Sequence, residues 1–262
     1  DALPIFSTSA SYSVTMPDED VTYTAIFVPG TVSYTVKHYQ QNAAANGYDL
    51  YETETKTGTT GSNTAASSKT YTGFTAQSFS QTTIAADGTT VVNIYYNRNT
   101  YTITYKKGQY GTGSDVTDTK LYGVDLTLRG AGLFTRSGYQ QTGWSTNNKG
   151  NSKNYDLEGT YTANSATTLY PYWAQEFTVT FNANGHGTAP ASQTVLSGAK
   201  ATEPTAPTAT GYTFGGWYRE AACTNVWNFA TDVVTTNTIL YAKWTAIQYT
   251  LTVATNNAAY GS

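Results

Sequence analysis

Gly211-Tyr212-Thr213-Phe214-Gly215-Gly216-Trp217, with Leu240-Tyr241-Ala242-Lys243-Trp244 downstream, repeats an earlier pattern: Gly138-Tyr139-Gln140-Gln141-Thr142-Gly143-Trp144, with Leu169-Tyr170-Pro171-Tyr172-Trp173 downstream. A period of about 70 residues marks an array of small modules in place of one large domain. Each copy must supply its own core. Gly138, Tyr139, Trp144 and Trp173 in the first copy, and Gly211, Tyr212, Trp217, Phe229, Tyr241 and Trp244 in the second, are therefore expected to be a structural signature, not a reactive site. Burial at about 2–3 kcal/mol per aromatic would supply most of the stability of so small a module.

Outward from these motifs, each copy opens on a run of period two: Tyr101-Thr102-Ile103-Thr104-Tyr105 or Phe177-Thr178-Val179-Thr180-Phe181. Such alternation predicts half-buried strands. Pro204 and Pro207 leave room for no more than a short helical turn before Gly211. Upstream, Tyr34, Val36 and His38 begin a different module with a Gly-rich middle (Gly58–Gly61), a hairpin signal at Asp87-Gly88 and a closing run, Val91–Tyr96. The expected boundaries are 1–30 for the end of a truncated repeat, 31–98, 99–175 and 176–246 for three modules, and 247–262 for the start of a further repeat. Over 12–27 the pattern is strand, acidic turn, strand; Tyr249–Val253 again resembles a strand.

Composition narrows the function. Charged residues are 12% of the chain, Tyr occurs 23 times, and the net charge is −3, so no basic stripe is available to neutralise phosphates and nucleic acid is not an expected partner. No run is long and apolar enough to span a membrane as a helix. Cys223 is the single cysteine, which removes an intramolecular disulfide or a cysteine-based zinc site. No Asn-x-Ser/Thr triplet occurs.

Candidate chemistry is sparse. The two histidines, His38 and His186, fall in different modules, which argues against a His-based triad or a two-His metal site. His186 lies in a turn, Asn182-Ala183-Asn184-Gly185-His186-Gly187. Asp18, Glu19 and Asp20 fit a solvated acidic turn better than a calcium loop. Cys223 has no histidine base in its module beyond that turn, and is expected to be a loop thiol. The expectation is no catalytic residue, no metal and no cofactor. Unrepeated aromatics, Tyr48, Tyr51, Tyr110, Tyr122 and Tyr155, are the weak candidates for contact with a ligand, because sugar faces stack on aromatic rings. A Lys–Asn isopeptide cross-link would be invisible in sequence.

Val179–Asn182, Gly211–Tyr218, Trp227-Asn228-Phe229 and Leu240–Trp244 together resemble the Listeria–Bacteroides repeat, the internalin-type B-repeat. The first copy is similar but has Ser145 in place of Tyr218 and lacks the Trp-x-Phe element. The 31–98 module resembles mucin-binding-protein-type repeats, and Met16–Phe27 resembles the end of another bacterial surface repeat. The resemblance implies a fold that is mainly β or small α+β: tandem β-grasp-like repeat modules in an elongated string, each with one short helix across its sheet. It implies a monomeric, extracellular, bacterial cell-surface or secreted protein, serving as a stalk or binding host mucin, glycan or an extracellular protein.

Overall fold

The computed structural model describes residues 29–253. The acidic turn at 18–20, its flanking strands over 12–27, and 254–262 lie outside them. The chain divides between Asn97 and Arg98 into two compact units.

In the first unit, β1 (Thr31–Gln41) and β2 (Tyr48–Thr59) form an antiparallel pair. β4 (Val91–Arg98) returns parallel to β1, and β3 (Phe74–Ala76) completes the order β2-β1-β4-β3. Alternation decides the faces: Tyr34, Val36 and His38 of β1 and Val92, Ile94 and Tyr96 of β4 point into one core with Ala66 and Ile84. Gly58, from the Gly-rich middle, lies inside β2, where a Cβ would come within 2.5 Å of Ile84 Cδ1. One sequence expectation changes here. Asp87-Gly88 makes a turn, with Asp87 Oδ1 accepting from the Thr89 amide at 3.0 Å, but it leads into β4 in its parallel pairing with β1, not into a hairpin partner.

The second unit contains β5 (Thr100–Tyr105), β6 (Val116–Leu121), β7 (Leu126–Thr127), β8 (Tyr139–Ser145), β9 (Thr160–Tyr161), β10 (Thr167–Asn182), β11 (Gln193–Leu196), β12 (Tyr212–Tyr218) and β13 (Thr238–Ala246). β10 belongs to both copies. Its first part lies parallel to β5 and antiparallel to β8; its second part lies antiparallel to β11 and parallel to β13. With the antiparallel pairs β5–β6 and β12–β13, each copy becomes a four-stranded mixed sheet: β6-β5-β10-β8 and β11-β10-β13-β12. The strand order is the same as in the first unit. In all three modules the first and last strands are central, parallel neighbours.

Each copy has its own core. One gathers Ile103, Tyr105, Leu128, Phe134, Trp144 and Leu169; the other gathers Val179, Phe181, Trp217, Trp227, Val234 and Leu240. Trp144 and Trp217 are buried as the repeat predicts, and Trp173, Trp244 and Phe229 cover the cores from the edge. Tyr241 is a correction: Leu240 and Ala242 hold the inward positions of β13, so alternation turns Tyr241 to the opposite face, where it is half-buried.

The protein is mainly β. Among the described residues no helix forms, and the crossover at 197–211 in the second copy runs as turns and extended chain around Pro204 and Pro207. Prolines remove helix donors there. Tyr249–Val253 forms no strand; Tyr249, Leu251 and Val253 are exposed, with no strand paired to them.

Trp217→Ala is expected to cost about 3–5 kcal/mol in the 176–246 copy. All five tryptophans lie in the second unit, so tryptophan fluorescence follows that unit alone while NMR resonances of 31–97 follow the first. The fluorescence transition should fall and the 31–97 signals persist; simultaneous loss of both would contradict separate cores.

Candidate functional site

The first unit carries the densest polar chemistry. His38, fully buried on β1, meets Tyr96 Oη at 2.8 Å through Nδ1 and Glu54 Oε1 at 3.1 Å through Nε2. The Lys69 amide donates to Tyr96 Oη, and the Glu54 carboxylate, which can only accept, takes an N–H from Nε2. Register explains the assembly: His38 and Glu52 are partners across β1 and β2, with Glu54 on the same face two residues on. Lys69 and Tyr71, from the crossover, close the network on Glu52.

The charges are mutually supported. The Lys69 hydrogen bond, then that from Tyr71, holds the Glu52 carboxyl below its ordinary value. Burial pushes Glu54 upward, but the His38 hydrogen bond and the cations Lys56 and Lys69 outweigh it and leave Glu54 lowered as well. Burial, with Glu52 alongside, raises the Tyr71 phenol. Both imidazole nitrogens are occupied and the ring is closed to solvent, so His38 is arranged to hold the core together, not to exchange protons with a substrate. Sequence could not find this network, because Glu52, Glu54, Lys69 and Tyr71 carry no spacing that points to His38.

The opposite face of this sheet bears a tyrosine cluster. Tyr39 and Tyr95 stack at 5.1 Å, and Tyr48 meets Tyr95 edge-on at the same distance. Gln77 and Asn97 fix Tyr48: its hydroxyl donates to Asn97 Oδ1 at 2.6 Å and accepts from Gln77 Nε2 at 2.5 Å. Of the weak sequence candidates, only Tyr48 belongs here. Tyr51, 61% exposed, packs toward Tyr71 on the other side of β2.

Tyr110, Tyr122 and Tyr155 fall in the second unit. Tyr155 is corrected from a surface candidate to a rim of the first copy's core, packed edge-on to buried Tyr161. Tyr110 is exposed and covered on one face by the Arg136 guanidinium, which also lies over Tyr139. Tyr122 is half-buried, its amide bound to Asn99. Within neither unit do its candidates form one cluster: Tyr48 and Tyr51 pack against different rings, and Tyr110 and Tyr155 against different side chains.

The two copies share a recess at equivalent positions, between the turn after the first strand, the loop after the Gly-Trp strand and the last strand. It is a shallow surface depression in both, of ≈ 400 Å³ against Lys106, Gln109, Asn148 and Tyr170 in the first copy and ≈ 290 Å³ against Asn184, His186, Cys223 and Lys243 in the second. Corresponding latches hold its floor. The Gln109 amide donates to the Asn148 carbonyl at 2.8 Å, and Asn184 Nδ2 to the Ala221 carbonyl at 3.1 Å. Under each edge tryptophan a glycine is required, since a Cβ on Gly111 or Gly187 would lie 2.5 Å from a backbone oxygen and 3.3 Å from Trp173 or Trp244 Cζ2. His186 is a turn residue stacked on Tyr212 at 3.8 Å. Cys223 lies in a turn with φ 53°.

No group of three or more His, Cys, Asp or Glu residues gathers for a metal among the described residues, and no helix there is long and apolar enough to cross a membrane. Asp118 is held low first by its hydrogen bonds to Arg129, a paired and not a poised carboxylate. Lys120 is buried, its ammonium 3.0 Å from Leu121 O and 3.2 Å from Asn164 Oδ1. That amide oxygen also accepts from the Gly123 N–H, where a cross-link would need a carboxylic acid.

The Listeria-Bacteroides repeat domain family matches residues 101–171 and 177–243, more than half of the chain, and the chain belongs to that family. Over 164 residues it is 31% identical to a "Putative Gly-rich membrane protein" of Evansella cellulosilytica, covering 62% of this chain and 19% of the relative. Over 79 residues it is 42% identical to Internalin H of Listeria monocytogenes, covering 30% of this chain and 14% of the relative. The matches thus span a fifth or less of these relatives.

Two outcomes follow for the polar groups. Because Glu52 and Glu54 have lowered folded values, their contribution is complete above the ordinary value of 4.5 and is lost as pH falls below it. Acid titration followed by NMR of 31–97 should show this loss, reduced in Glu52→Gln; an unchanged profile would remove the network's electrostatic role. The Lys120–Asn164 pair should remain non-covalent. Intact mass should equal that of the unmodified chain, and a deficit of one ammonia would show the cross-link.

Proposed function

We propose that this chain is a non-catalytic stalk or spacer and adhesion-associated repeat region of a bacterial surface or secreted protein, acting outside the cell. The observation that carries this is β10. One 16-residue strand ends one copy and begins the next, so the copies are joined without a linker. Parallel first and last strands bring the chain in at one end of each copy and release it at the other. From Thr100 the path runs five residues along β5, crosses at the register of Tyr105 with Leu169, and continues seven more to Glu176, a rise of ~40 Å per copy at strand spacing. A linkerless joint restricts bending and suits a repeat whose task is distance. Relatives bearing the names internalin and membrane protein support a surface location.

The tyrosine face of the first unit favours a second reading, direct binding of mucin, another glycan or an extracellular protein. Tyr39, Tyr48 and Tyr95 with the Gln77 and Asn97 amides present mixed aromatic and polar groups. Against it, the rings cover one another's faces and leave little flat area for a sugar.

The 262-residue chain should show no saturable binding to a panel of mucins, glycans and matrix proteins by interferometry. Saturable binding abolished in Tyr48→Ala and Tyr95→Ala, with the 31–97 fold intact by NMR, would put the second reading ahead.

A further inference from the structure

We propose that each module is a mechanical clamp, built so that tension along the chain is borne in shear by the hydrogen-bond ladder between its first and last strands; this rests on the spacer reading. The ladder is in register over Thr35–Gln40 with Val91–Tyr96 in the first module, Thr167–Leu169 with Ile103–Tyr105 in the second, and Val179–Asn182 with Thr238–Tyr241 in the third.

The direction of load follows from topology. The strands that leave each module toward its neighbours are the two parallel central strands. Pulling them apart by their outer ends slides one along the other, so every rung resists together. An antiparallel pair pulled at its open end is unzipped rung by rung. The core stiffens the same pair: Val36 and His38 on β1 lie beside Val92 and Ile94 on β4, and Phe181 on β10 lies beside Leu240 on β13, all buried. β10 carries the load between two clamps without an intervening loop. The hairpin strands β2, β6 and β11 and the crossover segments lie off this path.

The lengths of the three ladders rank the clamps. Six register pairs in the first module, against four in the third and three in the second, make the first the last to yield.

The test is single-molecule force spectroscopy on the whole chain with Cys223→Ser, so that attachment cysteines are unique. Held by its termini, the chain should unfold in three steps of ~20–25 nm each, a module's worth of extended residues less its folded span. Thr35→Cys with Val91→Cys, oxidised, ties the first clamp's strands together. The highest-force step should then vanish and return on reduction. Moving the attachments to Thr31→Cys and Thr59→Cys, partners at the open end of the β1–β2 hairpin, should lower the first module's unfolding force by about twofold or more, because rungs are then loaded singly. Equal forces in the two geometries, or disappearance of the lowest-force step on oxidation, would overturn the clamp. Neither result bears on ligand binding, which the panel above decides separately.

Discussion

Everything in this protein is arranged around the parallel pairing of a module's first strand with its last. Parallel neighbours cannot be joined by a tight turn, so the chain must cross over the sheet between them. That crossover supplies the lid of each core: Ala66 and Ile84 in the first module, Leu128 and Phe134 in the second, Trp227 and Val234 in the third. A helix often fills this role. Here a loop does so, and the large indoles and tyrosines compensate for its lack of regular apolar spacing by covering area in a few residues.

The two repeat copies show how much chemistry such a frame tolerates. Trp144 and Trp217 occupy matching positions, yet Trp144 donates its indole N–H to the Arg129 carbonyl while the Trp217 indole nitrogen has no hydrogen-bond partner. Lys120 and Val195 stand at matching register positions on β6 and β11, one buried with its ammonium on two carbonyl oxygens, the other purely apolar. Tyr110 and Tyr139 enclose Arg136 in one copy; His186 stacks directly on Tyr212 in the other. A hydrogen bond from turn to loop is kept in both copies, donated by the Gln109 backbone amide in one and by the Asn184 side chain in the other.

Strand character and the buried tryptophans were legible in sequence because they depend on local alternation and on duplication. Tyr34, Val36, Val92 and Ile94 follow the same rule. What sequence concealed was long-range register. His38 has Glu54 and Tyr96 as partners only because β2 and β4 flank β1, a topology no local signal reports. Tyr241 was misplaced because a motif shared between copies does not say which face a residue takes, although the alternation with Leu240 and Ala242 contained that information. Tyr155 looked solitary in the chain and is covered by Tyr161 in space. In the third module Pro204 and Pro207 oppose the helix that family resemblance implied; the crossovers of the other two modules contain no proline and still run without a helix, for which nothing in the sequence gives a local reason.

The shared strand also separates two units that usually coincide: the piece duplicated in sequence and the piece that can be cut free. A protease needs several residues of unpaired, accessible backbone. Between the second and third modules the chain is hydrogen-bonded within β10, to β8 through Gln175 and to β11 from Glu176 onward. Cleavage there must wait for part of a module to open, so resistance of the joint to proteolysis is tied to the stability of the cores it connects.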